Sequence, residues 1–198
     1  RNTDMLFVGD GETSSHPLTN SSKVAGVVLQ QLELAKNQAT APSKPVPVVF
    51  TPRGVASALI TPLMIAFNGK TVLEGASPVG NRIGELVFDP RLSLRDDPTI
   101  AYCPASCPCD DEGIPSQRTS LIEQGRVTHF LYDLQTAALA HTRSTGNGSR
   151  GGSSLPSPSP SSFVIAPGTT AFDEMVSDIK EGLVIEQLMG AEQGNILG

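Results

Sequence analysis

Three cysteines in the run Cys103-Pro-Ala-Ser-Cys-Pro-Cys109 are the side chains of this sequence best suited to metal chemistry. A structural zinc site takes four ligands, which usually come as two closely spaced pairs. Cys103 and Cys107 have the spacing of one such pair, and His129 is a candidate for a further ligand. Because the second pair is missing, we interpret Cys103, Cys107 and Cys109 as ordinary thiols in a turn and keep a metal site as the weaker alternative. The odd number of cysteines fits a reducing compartment.

Neighbouring carboxylates form a second group of chemically capable residues. Asp96-Asp97 and Asp110-Asp-Glu112 could bind a hard cation or transfer protons. Both groups stand beside Pro or Gly, where aspartate is common because its side chain hydrogen-bonds the backbone of a turn. We therefore interpret them as turn residues. His129 falls in a predicted strand with Val127 and Leu131 on the same face, so we interpret it as a half-buried imidazole and not as a ligand.

A Gly/Ser stretch followed by a Pro/Ser stretch runs from Ser144 to Ser162. This composition neither packs a core nor holds a helix, so the segment is predicted to be a loop. Residues 144–152 lack the Gly-Lys-Ser/Thr ending of a phosphate-binding loop, and no predicted helix follows them. Long loops without secondary structure often bind ligands. Within this loop we predict that Asn147 and Arg150 contact a peptide or a partner protein, with an ordinary solvated side chain as the alternative for Arg150.

The bulk composition is that of a globular protein. The chain has 198 residues, of which 38% are hydrophobic and 17% charged, with no Trp, so the core must consist mainly of Val, Leu, Ile and Ala. The formal net charge is -6, and without a basic patch in the sequence we expect no direct contact with nucleic acid. No apolar run approaches the ~20 residues that cross a bilayer, so we expect a soluble, cytoplasmic protein without a membrane contact.

Hydrophobic periodicity and turn residues divide the chain into predicted elements. Pro47–Lys70 should form a short buried strand, a turn and an apolar core helix that Pro62 kinks or interrupts, with a second short helix starting in the turn before Pro62 as the alternative. The other predicted helices and strands are the following: an amphipathic helix to Lys36 with one buried face, β-compatible segments at 70–74, 84–88 and 92–95, a hairpin of 119–122 and 126–131 around the loop 123–125, a helix capped by Asp133, a strand at 163–166, a helix with a capping box of Thr170 and Asp173, and a strand at 183–188.

The order of these elements predicts the fold class. Strands occur as hairpins with occasional helices and not as regular β-helix-β alternation, so we predict an α+β fold, a largely antiparallel β-sheet domain with a few packed helices. The Pro-containing connector at residues 39–47 divides residues 1–44, the tail of a preceding domain with one helix, from a second domain at residues 45–198. Because the chain begins at Arg1 without Met and stops in mid-pattern, we expect it to be part of a longer protein, truncated at its C-terminus.

Several short stretches, taken in order, resemble the C-terminal half of the TldD/PmbA family, whose members are named as modulators of DNA gyrase and implicated in peptide processing. The resemblance covers roughly the last three quarters of the chain, the size of a typical domain. The matching stretches are Pro47-Val-Val-Phe-Thr-Pro-Arg-Gly-Val-Ala56 onward to Gly69, Gly84-Glu-Leu-Val-Phe88 with Asp96-Asp-Pro98, residues 111–119, Ser144-Thr-Gly-Asn-Gly148, Pro160-Ser-Ser-Phe163 with Pro167-Gly168, and Ile179-Lys-Glu-Gly-Leu183.

The resemblance implies a specific comparison on the helix after the Pro-Val-Val strand. In the catalytic branch of the family this helix carries H-E-x-x-x-H, whose histidines bind zinc and whose Glu activates water. Alignment of the strand places Ile60, Thr61 and Ile65 at those positions. Aliphatic side chains have no lone pairs for zinc, and a threonine hydroxyl is no base near neutral pH. The sequence therefore resembles the PmbA branch, also called TldE, whose members lack the motif and pair with a zinc-bearing TldD subunit.

Three functional hypotheses follow. The first is a non-catalytic subunit, without a cofactor of its own, that completes a heterodimeric zinc metallopeptidase for unfolded peptides, with homodimers as a further option. The second is a metallohydrolase with a relocated site built from the cysteines, His129 and the acidic turns. The third is a stand-alone binding or structural module. Metal bound to the isolated protein would support the second hypothesis over the other two. A monomer that does not interact with a TldD-type partner would support the third over the first.

Overall fold

A computed structural model describes residues 8–37 and 39–188, and within them the chain forms five helices and eight strands. In chain order these are α1 (Ser22–Leu34), β1 (Val48–Phe50), α2 (Pro52–Ala66), α3 (Gly69–Leu73), β2 (Leu94–Asp96), β3 (Thr119–Glu123), β4 (Arg126–Val127), α4 (Leu134–Leu139), β5 (Gly148–Ser149), β6 (Ser157–Pro158), β7 (Phe163–Ile165), α5 (Phe172–Ser177) and β8 (Leu183–Ile185). The mixture of helices and mainly antiparallel strands confirms the predicted α+β class. None of the described helices combines the length and apolar character that a membrane span requires.

The chain divides into two compact units. The first runs to Pro45 and also includes Tyr102–Pro104. Its only described helix is α1, which begins at Ser22 and ends two residues before Lys36, the predicted end. The predicted buried face is not seen, because Val24, Val27 and Val28 are only half-buried and no residue of α1 is fully buried.

The second unit runs from Val46 to Ala101 and resumes at Ala105. It opens with the strand, turn and helix that the sequence predicted. The side chain of Thr51 caps α2 by accepting a hydrogen bond from the backbone N–H of Gly54 at 3.1 Å, and Pro52 at the first helical position has no N–H that the helix would need. The start of α2 lies so close to β8 that a Cβ on Gly54 would meet the carbonyl oxygen of Ile185 at 2.1 Å.

Two expectations about α2 were wrong in part. The helix continues through Pro62 to Ala66, because one missing backbone hydrogen bond does not end a helix that is capped at its start. The helix is also not a core helix within this chain. Only Gly54 and Ala66 are buried, and Leu59 is 45% exposed, so much of its apolar surface remains accessible.

The segment at 70–74, predicted to be β-compatible, is helical instead. The Asn68 side-chain oxygen accepts hydrogen bonds from the backbone N–H groups of Lys70 at 2.8 Å and Thr71 at 3.3 Å. This cap starts α3 in spite of the β-branched Thr71 and Val72, since capping by Asn is worth about 1 kcal/mol and outweighs the propensity of a few residues. The predicted strand at 84–88 is reduced to single bridges, at Ile83 and Leu86.

The core of the second unit lies on a four-stranded antiparallel sheet of order β4-β3-β2-β7. The predicted hairpin is confirmed as the β3–β4 pair, but its loop is shorter than expected. Ile122 pairs with Val127 and Glu123 with Arg126, so only Gln124 and Gly125 form the turn, both with positive φ (47° and 77°). The buried apolar cluster consists of Ala66, Phe67, Val79, Leu94, Leu121, Ile122, Val127, Phe130 and Leu131.

Two smaller strand pairs complete the unit. β1 and β8 pair in parallel, and β5 and β6 pair antiparallel. The second pair lies inside the segment 144–162, which the sequence predicted to be a loop throughout. The strands predicted at 163–166 and 183–188 are confirmed as β7 and β8, and the helix capped by Asp133 is confirmed as α4. The prediction of a capping box formed by Thr170 and Asp173 is wrong, because α5 begins after Ala171 without a side-chain cap.

Candidate functional site

The three positions aligned with the zinc motif lie together on α2. Ile60 and Ile65 are half-buried and Thr61 is exposed. Zinc requires nitrogen, sulfur or carboxylate oxygen ligands, and two hydrocarbon side chains with one hydroxyl group do not supply them. These residues do not fit a zinc ion, so no reaction step through a metal follows from this helix.

The structure also does not assemble the cysteines, His129 and acidic turns into a metal site. None of the three cysteines forms a disulfide with a described residue. Cys107 lies 3.5 Å from the hydroxyl of Ser116, and Cys109 is exposed. Within residues 8–37 and 39–188, no group of three or more His, Cys, Asp or Glu is placed to hold a metal ion.

His129 is exposed and lies outside β4, whereas the sequence predicted a half-buried imidazole within a strand. The strand β4 ends at Val127, so the expected alternation stops there. Val127 and Leu131 are buried, whereas His129 is exposed and its ring Nδ1 lies 3.1 Å from the carbonyl oxygen of Ser120. The imidazole therefore belongs to the surface beside β3 and not to the core.

Asp96 is the centre of a buried polar cluster and not a turn residue as predicted. It is the last residue of β2 and has no exposed surface. Its carboxylate accepts hydrogen bonds from the side-chain amide of Asn147 at 2.6 Å and from the backbone N–H groups of Ser161 and Ser162 at 2.9 and 2.7 Å. Burial raises the pKa of Asp96, and the three donors oppose that rise.

The adjacent Asp97 is equally buried but has charged partners. Its carboxylate accepts hydrogen bonds from the Thr99 hydroxyl at 2.6 Å, from Arg118 Nε at 2.9 Å and from Arg95 Nε at 3.3 Å. These donors, with Thr99 the strongest, hold the pKa of Asp97 at about 2. The pKa of Asp96 is thus raised, mainly by burial, whereas the pKa of its neighbour Asp97 is lowered, mainly by the Thr99 hydroxyl with smaller contributions from Arg95 and Arg118.

The second acidic group, Asp110–Glu112, fixes the loop that follows α4. Asp110 accepts hydrogen bonds from the N–H groups of Glu112 and Ile114, as predicted for a turn residue, and its other oxygen accepts one from Gly148 at 2.8 Å. The Asp111 carboxylate accepts a hydrogen bond from the backbone N–H of Arg150 at 2.7 Å. The loop is therefore held at several points along its backbone.

The structure places Asn147 and Arg150, the two predicted contact residues, in different environments. Asn147 is 3% exposed, and its amide nitrogen donates to Asp96 and to the carbonyl oxygen of Ser159. Its Oδ1 is buried and has no hydrogen-bond partner among the described residues. Arg150 is exposed. A cavity of about 230 Å³ adjoins Asn147 and is also lined by Cys107, Cys109 and the acidic turn.

Sequence reasoning missed a larger groove beside the β3–β4 hairpin. It has a volume of about 420 Å³, and its charged or aromatic lining includes Arg118, His129, Tyr132 and Arg143. Burial raises the pKa of the Tyr132 phenol. The two arginines are far apart in the sequence and belong to no motif, so no local signal could have found this groove.

Comparison with known proteins identifies the family. The protein-family model described as the PmbA/TldA metallopeptidase C-terminal domain matches residues 43–198 of this chain. The chain belongs to the PmbA/TldD family. The family resemblance based on the short ordered stretches is thereby confirmed.

Relatives within the PmbA/TldD family include both archaeal and bacterial proteins. An uncharacterized protein of Methanocaldococcus jannaschii is 35% identical over 190 residues, covering 94% of this chain and 45% of its own length. The metalloprotease PmbA of Escherichia coli O157:H7 is 28% identical over 152 residues, covering 77% of this chain and 32% of its own. The crystal structure of TldE from Thermococcus kodakarensis matches with a TM-score of 0.77 and 28% identity, covering 88% of this chain and 40% of that one.

This chain therefore spans less than half the length of these PmbA/TldD relatives. The similarity to TldE agrees with the mixed fold described above. The relatives named as metalloproteases indicate that the family includes metal-dependent proteins, whereas the residues of this chain at the aligned motif positions offer a metal no ligands.

Proposed function

We propose that this chain is part of a TldE-like, non-catalytic subunit of a cytoplasmic zinc metallopeptidase that processes unfolded peptides or small proteins. A TldD-like partner subunit would hold the zinc and perform the hydrolysis. The observation that carries this proposal is the occupation of the motif positions on α2 by Ile60, Thr61 and Ile65, in a chain whose family membership is established. The fold is that of the family, while the metal ligands are absent from the helix that would carry them.

Exposed apolar surface around the β1–β8 pair supports an interface. Val48, Leu183 and Val184 are 43%, 38% and 46% exposed. Parallel strands are normally covered on both faces, so a parallel pair with accessible apolar side chains suits a surface that other protein segments cover. The exposed Leu59 of α2 adds to the same apolar character. A second copy of this protein is the alternative occupant to a TldD-like subunit.

The segment 144–162 remains our proposed place for contact with a peptide or partner. The exposed Arg150 side chain can donate to a carboxylate or a peptide carbonyl. Asn147 has its nitrogen engaged, so its contribution would come through Oδ1 after a small movement of the loop. Main-chain hydrogen bonds to an unpaired strand edge would let a subunit of this kind hold peptides of varied sequence.

The decisive experiment is reconstitution with a TldD-type subunit. The full-length protein containing this chain is purified without chelators and mixed with the partner, and peptide cleavage is measured with and without it. We expect no cleavage by this protein alone, no stoichiometric metal in it, and cleavage that depends on the zinc-motif Glu of the partner. Partner activity that is unchanged by adding this protein would contradict the proposal, as would tightly bound zinc and cleavage by this protein alone.

A matched pair of variants tests the role of α2. Thr61 is exposed, so Thr61→Ala should change stability by less than ~0.5 kcal/mol and leave the cleavage rate of the assembled enzyme within about twofold. Leu59→Asp introduces a charge on the exposed apolar surface of the same helix and should weaken assembly without unfolding the chain. A large loss of activity in Thr61→Ala with assembly intact would assign that hydroxyl a chemical role and contradict the proposal.

A further inference from the structure

We propose that the groove beside the β3–β4 hairpin binds acidic peptide segments through Arg118 and Arg143. The groove, of about 420 Å³, lies between two stretches of the chain, residues 117–120 with 128–130 on one side and residues 140–145 on the other. This inference deepens the proposed function by naming a substrate class. It rests on that function only for the source of the peptide, because binding itself is a property of this chain.

The charge of the groove distinguishes it within an acidic protein. The chain has a formal net charge of -6, yet no Asp or Glu is among the residues that line the groove. Arg143 is exposed and makes no hydrogen bond or ion pair with a described residue. Its guanidinium is therefore available to a ligand.

Arg118 contributes a second cation. Its Nε donates to Asp97, but the side chain is 64% exposed and a guanidinium has further N–H groups to donate. Asp97 is shared with Arg95, so one buried carboxylate faces two arginines and leaves one positive charge uncompensated. Because Arg95 lies outside the groove lining and shares that charge with Arg118, the groove presents the full charge of Arg143 and part of one further positive charge at neutral pH.

The walls of the groove are fixed by hydrogen bonds. Gln117 Nε2 donates to the carbonyl oxygen of Ser144 at 3.2 Å and so joins the two sides. The backbone N–H of Tyr132 also donates to the Thr145 hydroxyl at 2.8 Å, and the Ser144 hydroxyl donates to the Tyr132 carbonyl oxygen at 3.1 Å. A groove held in this way needs little rearrangement to bind a ligand, which lowers the entropic cost of association.

Size and lining favour a peptide over a small anion. The volume of the groove exceeds what a single phosphate group needs. Its lining also includes apolar surface from Ala140 and from Ile83, which is 61% exposed. Hydroxyl groups of serine and threonine residues line the same walls. An extended segment with carboxylate side chains satisfies the arginines by charge-assisted hydrogen bonds while its remaining atoms contact the apolar wall.

The test measures binding to the full-length protein by fluorescence anisotropy of short labelled peptides at low salt. The probes are a Glu-rich peptide and the same peptide with Gln in place of Glu and an amidated end. We expect saturable binding of the first, at least about tenfold weaker binding of the second, and loss of affinity as salt rises. Equal binding of the two peptides would overturn the inference.

Two charge-matched variants locate the site. Arg143→Gln should weaken binding of the Glu-rich peptide about tenfold, the effect of one charged hydrogen bond. Arg91→Gln removes one positive charge from an exposed position outside the groove lining and should leave the affinity within twofold. Equal effects of the two variants, or none from Arg143→Gln, would overturn the inference. Since both positions are exposed, neither variant is expected to unfold the chain.

Competition experiments separate the alternative ligands. Inorganic phosphate should displace the labelled peptide only at much higher concentration than the unlabelled peptide. Displacement by phosphate at equal concentration, or preferential binding of a single-stranded oligonucleotide, would overturn assignment of the groove to peptides. Because these measurements need no partner subunit and no cleavage, their failure leaves the reconstitution result standing, and failure of reconstitution leaves the binding result standing.

Discussion

The side-chain nitrogen of Asn147 lies 2.6 Å from Oδ2 of Asp96, across 51 positions of sequence. Both side chains are buried, at 3% and 0% exposure. The pair ties the end of β2 to the turn before β5, and the N–H groups of Ser161 and Ser162 add the segment before β7. One carboxylate thus holds together the region where we propose contact with a peptide or partner.

We predict that Asn147→Ala lowers the free energy of unfolding by about 2–3 kcal/mol, because a buried carboxylate loses a charged hydrogen bond and the carbonyl oxygen of Ser159 loses its donor as well. Urea denaturation followed by circular dichroism measures the loss. Gln117→Ala is the control, since Gln117 also donates to a backbone carbonyl but is exposed. Its cost should stay below ~1 kcal/mol. Equal costs for the two variants would contradict the role assigned to burial.

The lowered pKa of Asp97 predicts how the free energy of unfolding depends on pH. The folded-state pKa, about 2, lies below the ordinary value of 3.8, so ionised Asp97 stabilises the fold above pH 3.8. This contribution, on the order of 2 kcal/mol and less where salt screens the exposed Arg118, is lost as the pH falls through the folded-state value. The difference in unfolding free energy between wild type and Asp97→Asn should therefore shrink between pH 4 and 2. A difference that stays constant over this range would contradict the prediction.

Substitution of Gly125, in the turn of the β3–β4 hairpin, is predicted to lower stability strongly. Its φ is 77°, and a Cβ there would lie 2.4 Å from the carbonyl oxygen of Phe88. Gly125→Ala should cost more than ~2 kcal/mol, since backbone strain and steric overlap add. Gly75 has a similar φ of 71° with no atom within 4 Å of a Cβ, so Gly75→Ala should cost only about 1 kcal/mol. Thermal or urea unfolding of both variants tests the comparison, and a smaller loss for Gly125→Ala would refute it.

Replacement of Pro62 by alanine is predicted to stabilise the fold. It lies in the interior of α2 and is exposed, so Pro62→Ala restores a backbone hydrogen-bond donor without removing a buried contact. We expect the free energy of unfolding to rise by about 1–3 kcal/mol. Pro52→Ala, at the first position of the same helix, should have little effect or cost up to about 1 kcal/mol, because no helical hydrogen bond is gained there. No gain for Pro62→Ala relative to Pro52→Ala would show that the helix is already relaxed around the proline.

Local signals in the sequence were sufficient where the structure depends on neighbouring residues. The cap at Thr51, the cap at Asp133 and the turn at Gly125 each act within about four residues, so the strand and helix before Pro62, the helix α4 and the β3–β4 hairpin could be predicted. The same locality explains the errors. The Asn68 cap overrode the β-branched residues that follow it, and α5 begins without the predicted capping box.

By itself the sequence determined the α+β class, the family and the lack of metal ligands at positions 60, 61 and 65, because these depend on residue types in order along the chain. Only the tertiary structure decided that Asp96 and Asp97 are buried with different partners, that the Ser-rich segment contains a strand pair, and that Arg118 and Arg143 line one groove. Each of these depends on residues brought together from distant parts of the chain. Pairing across such distances is set by the packing of the whole sheet and leaves no periodic pattern in the sequence.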